Sequence, residues 1–65
     1  MSKTEWPEVV GLPWKEAEEI IRKDYKNIMI QVLPELSAVT MDYHPDRVRI
    51  FTDDDNKVVK APIIG

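Results

Sequence analysis

Residues 28–52 read IMIQVLPELSAVTMDYHPDRVRIFT and hold two short apolar runs with a long connection between them. The first run, residues 28–33, alternates between two faces and is too short for a helix, so it predicts a β-strand. The second run, residues 47–52, alternates again, with Val48 and Ile50 facing inward and the neighbouring arginines facing outward. Together the two runs predict the start of a small sheet.

The connection, about residues 34–46, is long for a chain of 65 residues, and connections of this length are usually functional or disordered. A parallel pair of strands would need a crossover of about a dozen residues, which this connection supplies. It carries Thr40 and Asp42 on either side of a methionine. Arg47 and Arg49 follow on the second strand, where the two-residue repeat places both guanidinium groups on one face. These groups are suited to fixing an exposed loop from beneath.

An amphipathic helix precedes the strands. Residues 14–25, WKEAEEIIRKDY, repeat apolar side chains at helical spacing, with Ala17 and Ile21 on one face. Pro13 suits the first turn of this helix, where its missing N–H costs nothing. The charged residues between the apolar positions are explained by a solvated helix face.

The chain after the second strand predicts a turn and one more strand. Residues 53–56, DDDN, have the composition of a turn, and residues 57–61 predict a short strand that ends at Pro62. These elements predict an α+β fold, in which a single helix packs on a small mixed parallel and antiparallel sheet with a long exposed loop. The expected core residues include Trp6, Trp14, Ile21, Ile30, Val48 and Ile50.

Length and composition exclude several classes of protein. The chain predicts one domain, residues 1–65. A net charge of -3 without a basic stripe argues against a nucleic-acid partner, and no apolar run approaches the ~18 residues of a membrane span. The absence of cysteine excludes disulfides and a thiolate nucleophile. We expect a monomer without a cofactor and without a membrane partner.

The residues offer little for catalysis or metal binding. His44 is the one histidine and Ser2 and Ser37 are the serines, so a hydrolytic triad would need distant groups to converge. A solvent-facing imidazole is the simpler interpretation of His44. Residues 53–55 are consecutive aspartates, without the alternate spacing and the glycine of a calcium loop. We therefore predict that the chain is not an enzyme and holds no metal.

Several segments occur in an order and at a spacing that resemble a known family. They are TEWPEVVG at residues 4–11, VLP at residues 32–34, VTMDY at residues 39–43, DRVR at residues 46–49 and PIIG at residues 62–65. Together they span nearly the whole chain and resemble the potato inhibitor I family of serine protease inhibitors, which includes an inhibitor from barley. Met41 fits this resemblance, because its position on a proline-bounded connection is not explained by core packing.

The resemblance implies an inhibitor of chymotrypsin-like and subtilisin-like serine endopeptidases. Met41 would enter the specificity pocket of the protease, and the bond between Met41 and Asp42 would be the reactive bond. The residues that would contact the protease are Ala38, Val39, Thr40, Met41, Asp42, Tyr43 and His44. Hydrogen bonds from Arg47 and Arg49 would hold Thr40 and Asp42 in the loop. The terminal carboxylate of Gly65 would help to fix the arginine side chains. An extracellular or plant storage compartment and a response to wounding are further implications.

Three positions depart from the family pattern. Pro13 stands in place of a polar helix cap, residues 35–36 occupy a stretch that often contains glycine, and the His-Pro pair at residues 44–45 replaces a more basic pair. The alternative to an inhibitor is a folded interaction module, or a stability-redesigned scaffold, that keeps the fold without binding a protease. A small hydrolase has almost no support among the residues.

Overall fold

Residues 4–38 and 42–65 are described by the computed structural model of the protein, and they form a short 3-10 helix, one α-helix and a small mixed sheet. The elements are the 3-10 helix Pro7–Val9, helix α1 (Trp14–Asp24) and strands β1 (Met29–Pro34), β2 (Arg47–Thr52) and β3 (Ile63–Ile64). One helix packed on a mixed sheet is the α+β class that the sequence predicts, and this prediction is confirmed.

Strand β2 lies at the centre of the sheet, between β1 and β3. It runs parallel to β1, with Met29 opposite Arg47 and Pro34 opposite Thr52, and antiparallel to β3. The predicted bounds of β2 agree with the structure, and β1 begins and ends one residue later than predicted. Because β1 and β2 are parallel, the chain between them has to return along the whole length of the pair.

The third strand is not where the sequence places it. The prediction of a strand at residues 57–61 is wrong, and the observed strand is Ile63–Ile64. Lys57 and Val58 pair with two different segments, Lys57 with Pro13 and Val58 with Thr52, through one isolated bridge each. Because neither bridge is continued by a neighbouring one, no strand forms at these residues. Val58, which follows, makes one bridge to the end of β2 and buries its side chain in the core.

Helix α1 begins without a side-chain cap. Pro13 is the residue before its first turn, which corrects the predicted placement inside that turn. The Pro13 carbonyl accepts hydrogen bonds from the N–H groups of Glu16 at 3.0 Å and Ala17 at 3.2 Å, while the N–H of Trp14 donates to the Asn56 carbonyl at 2.9 Å. A carbonyl from another part of the chain thus satisfies one of the first-turn N–H groups that have no acceptor within the helix. Within residues 4–38 and 42–65, no helix is both long and apolar enough to cross a membrane.

Trp6 lies at the centre of the core, and its side chain is fully buried. The indole Nε1 donates a hydrogen bond of 2.9 Å to the carboxylate of Asp24, the last residue of α1, and the ring meets Tyr25 edge to face. Two of the expected core residues, Trp14 and Ile30, are partly buried and pack against the outside of this cluster. The buried apolar residues are Trp6, Val9, Ala17, Ile21, Ile28, Val48, Ile50 and Val58.

Replacing a core isoleucine should destabilise the fold far more than replacing an exposed one. Ile50 in β2 is fully buried, whereas Ile63 in the neighbouring β3 is 55% exposed. We expect Ile50→Ala to lower the free energy of unfolding by ~2–5 kcal/mol, through lost burial and the cavity left behind. The matched change Ile63→Ala should lower it by at most about 1 kcal/mol. Urea unfolding followed by circular dichroism measures both, and equal losses would contradict the placement of Ile50 in the core.

Candidate functional site

The connection between β1 and β2 is hydrogen-bonded to the sheet near both of its ends. At its start, the N–H of Glu35 donates to the Thr52 carbonyl at 2.8 Å, and at its end the Asp46 carbonyl accepts the N–H of Met29 at 2.8 Å. Thr52 and Met29 lie at opposite ends of the parallel pair. The two bonds therefore fix both ends of the connection in place, and they continue the hydrogen-bond pattern between the parallel strands into it.

Arg47, the first residue of β2, supports the end of the connection from beneath. Its Nε donates to the Gly65 oxygen at 2.8 Å, and its Nη2 donates to the backbone carbonyl of Asp42 at 2.9 Å. Its Nη1 lies 3.5 Å from Oδ2 of the same aspartate. Strand alternation predicts an outward-facing, exposed side chain here, yet Arg47 is only 8% exposed. The chain around Asp42 and Gly65 covers the guanidinium group, so its hydrogen bonds are shielded from water.

Arg49 faces the same carboxylate from one repeat further along β2. Its Nη2 lies 3.8 Å from Oδ1 of Asp42, and strand alternation accounts for its position on the same face as Arg47. The side chain of Asp42 is 46% exposed, so water and salt weaken both of its ion pairs with arginine. The hydrogen bond from the buried Arg47 to the Asp42 backbone is therefore the stronger restraint on the loop.

His44 also contacts the Asp42 carboxylate, with 2.5 Å between Nε2 and Oδ2. The imidazole is exposed, as predicted from the sequence, but it also contacts a carboxylate and is not only solvated. Sequence reasoning missed this contact. The signal that could have revealed it is the spacing of two residues, because side chains two apart in extended chain project to the same side, and Pro45 restricts His44 to extended conformations.

The remaining predicted site residues differ in what the structure says of them. Ala38 is exposed before the gap in the described residues, and Tyr43 is 70% exposed after it. The ring of Tyr43 lies close to Gly65, because a β-carbon added there would be 3.7 Å from it. Val39, Thr40 and Met41 lie outside the described residues. The structure thus brings together Asp42, Tyr43, His44, Arg47, Arg49 and Gly65.

The aspartates that follow β2 form a turn at the end of the strand opposite to Arg47. The carboxylate of Asp53 accepts the N–H of Asp55 at 2.9 Å and that of Lys57 at 3.0 Å. Asn56 closes the turn with a φ of 63°, a conformation that asparagine tolerates better than most residues. In the described ranges 4–38 and 42–65, no three His, Asp or Glu side chains are grouped to hold a metal ion.

Comparison with known proteins gives one consistent result. The model of the potato inhibitor I family matches residues 1–65. A subtilisin inhibitor from Canavalia lineata is 49% identical over 63 residues, which cover 97% of this chain and 95% of that protein. A chymotrypsin inhibitor from Lumbricus terrestris is 46% identical over 63 residues, which cover 97% of this chain and 73% of that protein. The crystal structure of bitter gourd trypsin inhibitor superposes with a TM-score of 0.92 at 28% identity, covering 100% of this chain and 96% of that one. This chain belongs to the potato inhibitor I family.

Proposed function

We propose that this protein is a single-domain inhibitor of subtilisin-like and chymotrypsin-like serine endopeptidases. Membership of the potato inhibitor I family makes the chain a protease inhibitor and not an enzyme. In our proposal residues 38–44 occupy the active site of the protease as a substrate would. The side chain of Met41 fills the specificity pocket, and the peptide bond between Met41 and Asp42 is the one presented for cleavage.

The observation that carries this proposal is the hydrogen bond from Arg47 to the Asp42 carbonyl. Asp42 is the first residue on the leaving side of the proposed reactive bond, and a buried guanidinium group holds its backbone. The same group is held in turn by the Gly65 oxygen. The restraint therefore acts on the backbone of the leaving side and does not depend on the exposed carboxylate.

This restraint explains how a substrate-like loop inhibits instead of being digested. Attack by the protease serine on the Met41 carbonyl would break the peptide bond, leaving an acyl-enzyme and a new amine on Asp42. Arg47 would keep that amine next to the ester, where its effective concentration is high. The amine can then attack the acyl-enzyme carbonyl, expel the serine oxygen and restore the original bond. Hydrolysis is slow because water has to compete with a nucleophile that never diffuses away.

The hydrogen bonds of Glu35 and Asp46 to the sheet contribute to affinity in a second way. A segment that is ordered before it binds loses less conformational entropy on docking than a free peptide does. Because both ends of the connection are fixed to the sheet, part of that entropy is lost when the protein folds and not when it binds the protease. Tight binding then needs few contacts besides those of the loop.

The identity of the residue in the specificity pocket should decide which proteases are inhibited. Met41→Lys should gain inhibition of trypsin, whose pocket holds an aspartate. It should lose at least about 100-fold in affinity for chymotrypsin, because an ammonium group finds no partner in an apolar pocket. The matched control is Leu36→Lys, since Leu36 lies in the same connection, is 94% exposed and falls outside the proposed contact residues.

Inhibition constants for subtilisin, chymotrypsin and trypsin, measured on the parent and both variants, test this prediction. The parent should abolish subtilisin and chymotrypsin activity at a stoichiometric ratio, which a non-inhibitory module would not do. If Met41→Lys kept the parent's profile, or if Leu36→Lys changed it equally, Met41 would not be the specificity residue.

Removing the arginines beneath the loop should weaken inhibition without unfolding the protein. We expect the double change Arg47→Ala and Arg49→Ala to raise the inhibition constant about 100-fold or more, because the hydrogen bond of Arg47 to the Asp42 backbone and the ion pairs of both arginines with its carboxylate are lost. The variant should also be cleaved faster between Met41 and Asp42. Arg22→Ala is the control, since Arg22 donates to the Ile28 carbonyl at 3.1 Å on a part of the chain remote in sequence from the loop.

Mass spectrometry follows the cleavage and circular dichroism the folding of both variants. A folded double variant that inhibits subtilisin as tightly as the parent, and survives it as long, would show that the arginines do not support the loop.

A further inference from the structure

We infer that His44 is a positioning residue that holds the Asp42 carboxylate, and that protonation of its imidazole tightens the grip of the inhibitor on its protease as the pH falls. This inference rests on the proposed function and deepens it by adding a form of regulation. It concerns the leaving side of the reactive bond, where Arg47 already provides a restraint that does not change with pH.

The backbone determines where the imidazole lies. Pro45 restricts His44 to extended conformations, and the His44 carbonyl accepts the N–H of Arg47 at 3.2 Å. With the backbone fixed in this way, His44 and Asp42 project to the same side, and Nε2 comes within 2.5 Å of Oδ2. The contact thus follows from the course of the chain into β2.

Among the residues that the structure describes, three side chains on the sheet side of the loop bring a nitrogen close to the Asp42 carboxylate. Oδ2 lies 2.5 Å from His44 Nε2 and 3.5 Å from Arg47 Nη1, while Oδ1 lies 3.8 Å from Arg49 Nη2. Asp46 lines the same cleft as His44, together with Met29 and Arg47. The charged residues around the imidazole are thus Asp42, Asp46, Arg47 and Arg49. Protonation of His44 adds one positive charge to this site.

Two opposing effects follow from that added charge, and the direct contact decides between them. Protonated His44 is repelled by the guanidinium groups of Arg47 and Arg49, but these are themselves paired with the Asp42 carboxylate, which His44 contacts directly. A charge-assisted hydrogen bond is roughly twice as strong as a neutral one. Repulsion across a half-exposed surface is weakened by water and salt. Protonation should therefore strengthen the hold on Asp42.

The exposure of the pair limits the size of the effect. The side chains of His44 and Asp42 are 56% and 46% exposed, and exposed ion pairs of this kind change an equilibrium about two- to fivefold. Histidine is the side chain whose charge can change between about pH 5 and pH 8, so the test compares inhibition at these two pH values. At higher pH the bond from Arg47 to the Asp42 carbonyl still supports the loop. His44 adds to that support when it is protonated.

The test compares three side chains at position 44. The parent, His44→Gln and His44→Arg are titrated against subtilisin at about pH 5 and about pH 8. Glutamine donates a hydrogen bond without a charge, and arginine is charged at both pH values. Because the protease's own pH dependence acts equally on all three proteins, it cancels in the ratio of their inhibition constants. The exposed position of His44 makes misfolding unexpected, and a thermal melt of each variant checks this.

The first ratio is the inhibition constant of His44→Gln divided by that of the parent. We expect it to be about two- to fivefold larger at the lower pH than at the higher pH. The same ratio for His44→Gln relative to His44→Arg should be equal at both pH values. In a background of Asp42→Asn, which removes the carboxylate charge, the pH dependence of the first ratio should disappear. This last measurement separates action through Asp42 from a direct contact between the imidazole and the protease.

A first ratio that does not change with pH would overturn the role of His44, and so would a pH dependence that survives in the Asp42→Asn background. In either case tight inhibition by the parent, redirected to trypsin by Met41→Lys, would leave the proposed function standing. A parent that fails to inhibit subtilisin at both pH values would overturn the proposed function and this inference together.

Discussion

The guanidinium group of Arg47 connects the sheet, the end of the chain and the exposed connection, and the arrangement of the site depends on it. Arg47 occupies the first position of β2, opposite Met29, so its place is set by the register of the parallel pair. From there it donates to the oxygen of Gly65 and to the backbone of Asp42. Any shift in register would move it away from both oxygens at once. The geometry of the loop is thus determined by the same pairing that builds the sheet.

Burying a charged group is costly unless its hydrogen bonds are replaced. Here two oxygens accept hydrogen bonds from Arg47 and the Asp42 carboxylate lies nearby. This explains why the site can combine a shielded cation with exposed neighbours. One of these oxygens belongs to Gly65, next to β3, and the other belongs to Asp42 in the connection. The hydrogen bonds that offset the cost of burying the charge therefore also tie two separate segments to the start of β2.

Sequence reasoning succeeded where the pattern was local. The alternation of residues 47–52 predicts β2 with the observed bounds, since the polarity of each side chain indicates the face of the strand on which it lies. It failed for Ile63–Ile64, because a strand of two residues has no periodicity and exists through its pairing with a distant segment. The same limit applies to Arg47. The alternation of β2 places its side chain on an exposed face but cannot show that Gly65 covers that side chain. The contact of His44 with Asp42 likewise depends on side-chain directions that only the folded backbone fixes.

The pairing of the two ends of the chain has a consequence for the order of folding. Glu5 bridges to Ile63, the N–H of Trp6 donates to the Pro62 carbonyl at 2.9 Å, and the N–H of Ile64 donates to the Thr4 carbonyl at 3.0 Å. These contacts close a loop that contains almost the entire chain, so they carry the largest closure entropy of any in the sheet. The β1 and β2 pair closes a much shorter loop and can form earlier. We therefore expect β3 and the N-terminal segment to join late, which would make the burial of Trp6 one of the last steps in reaching the native state.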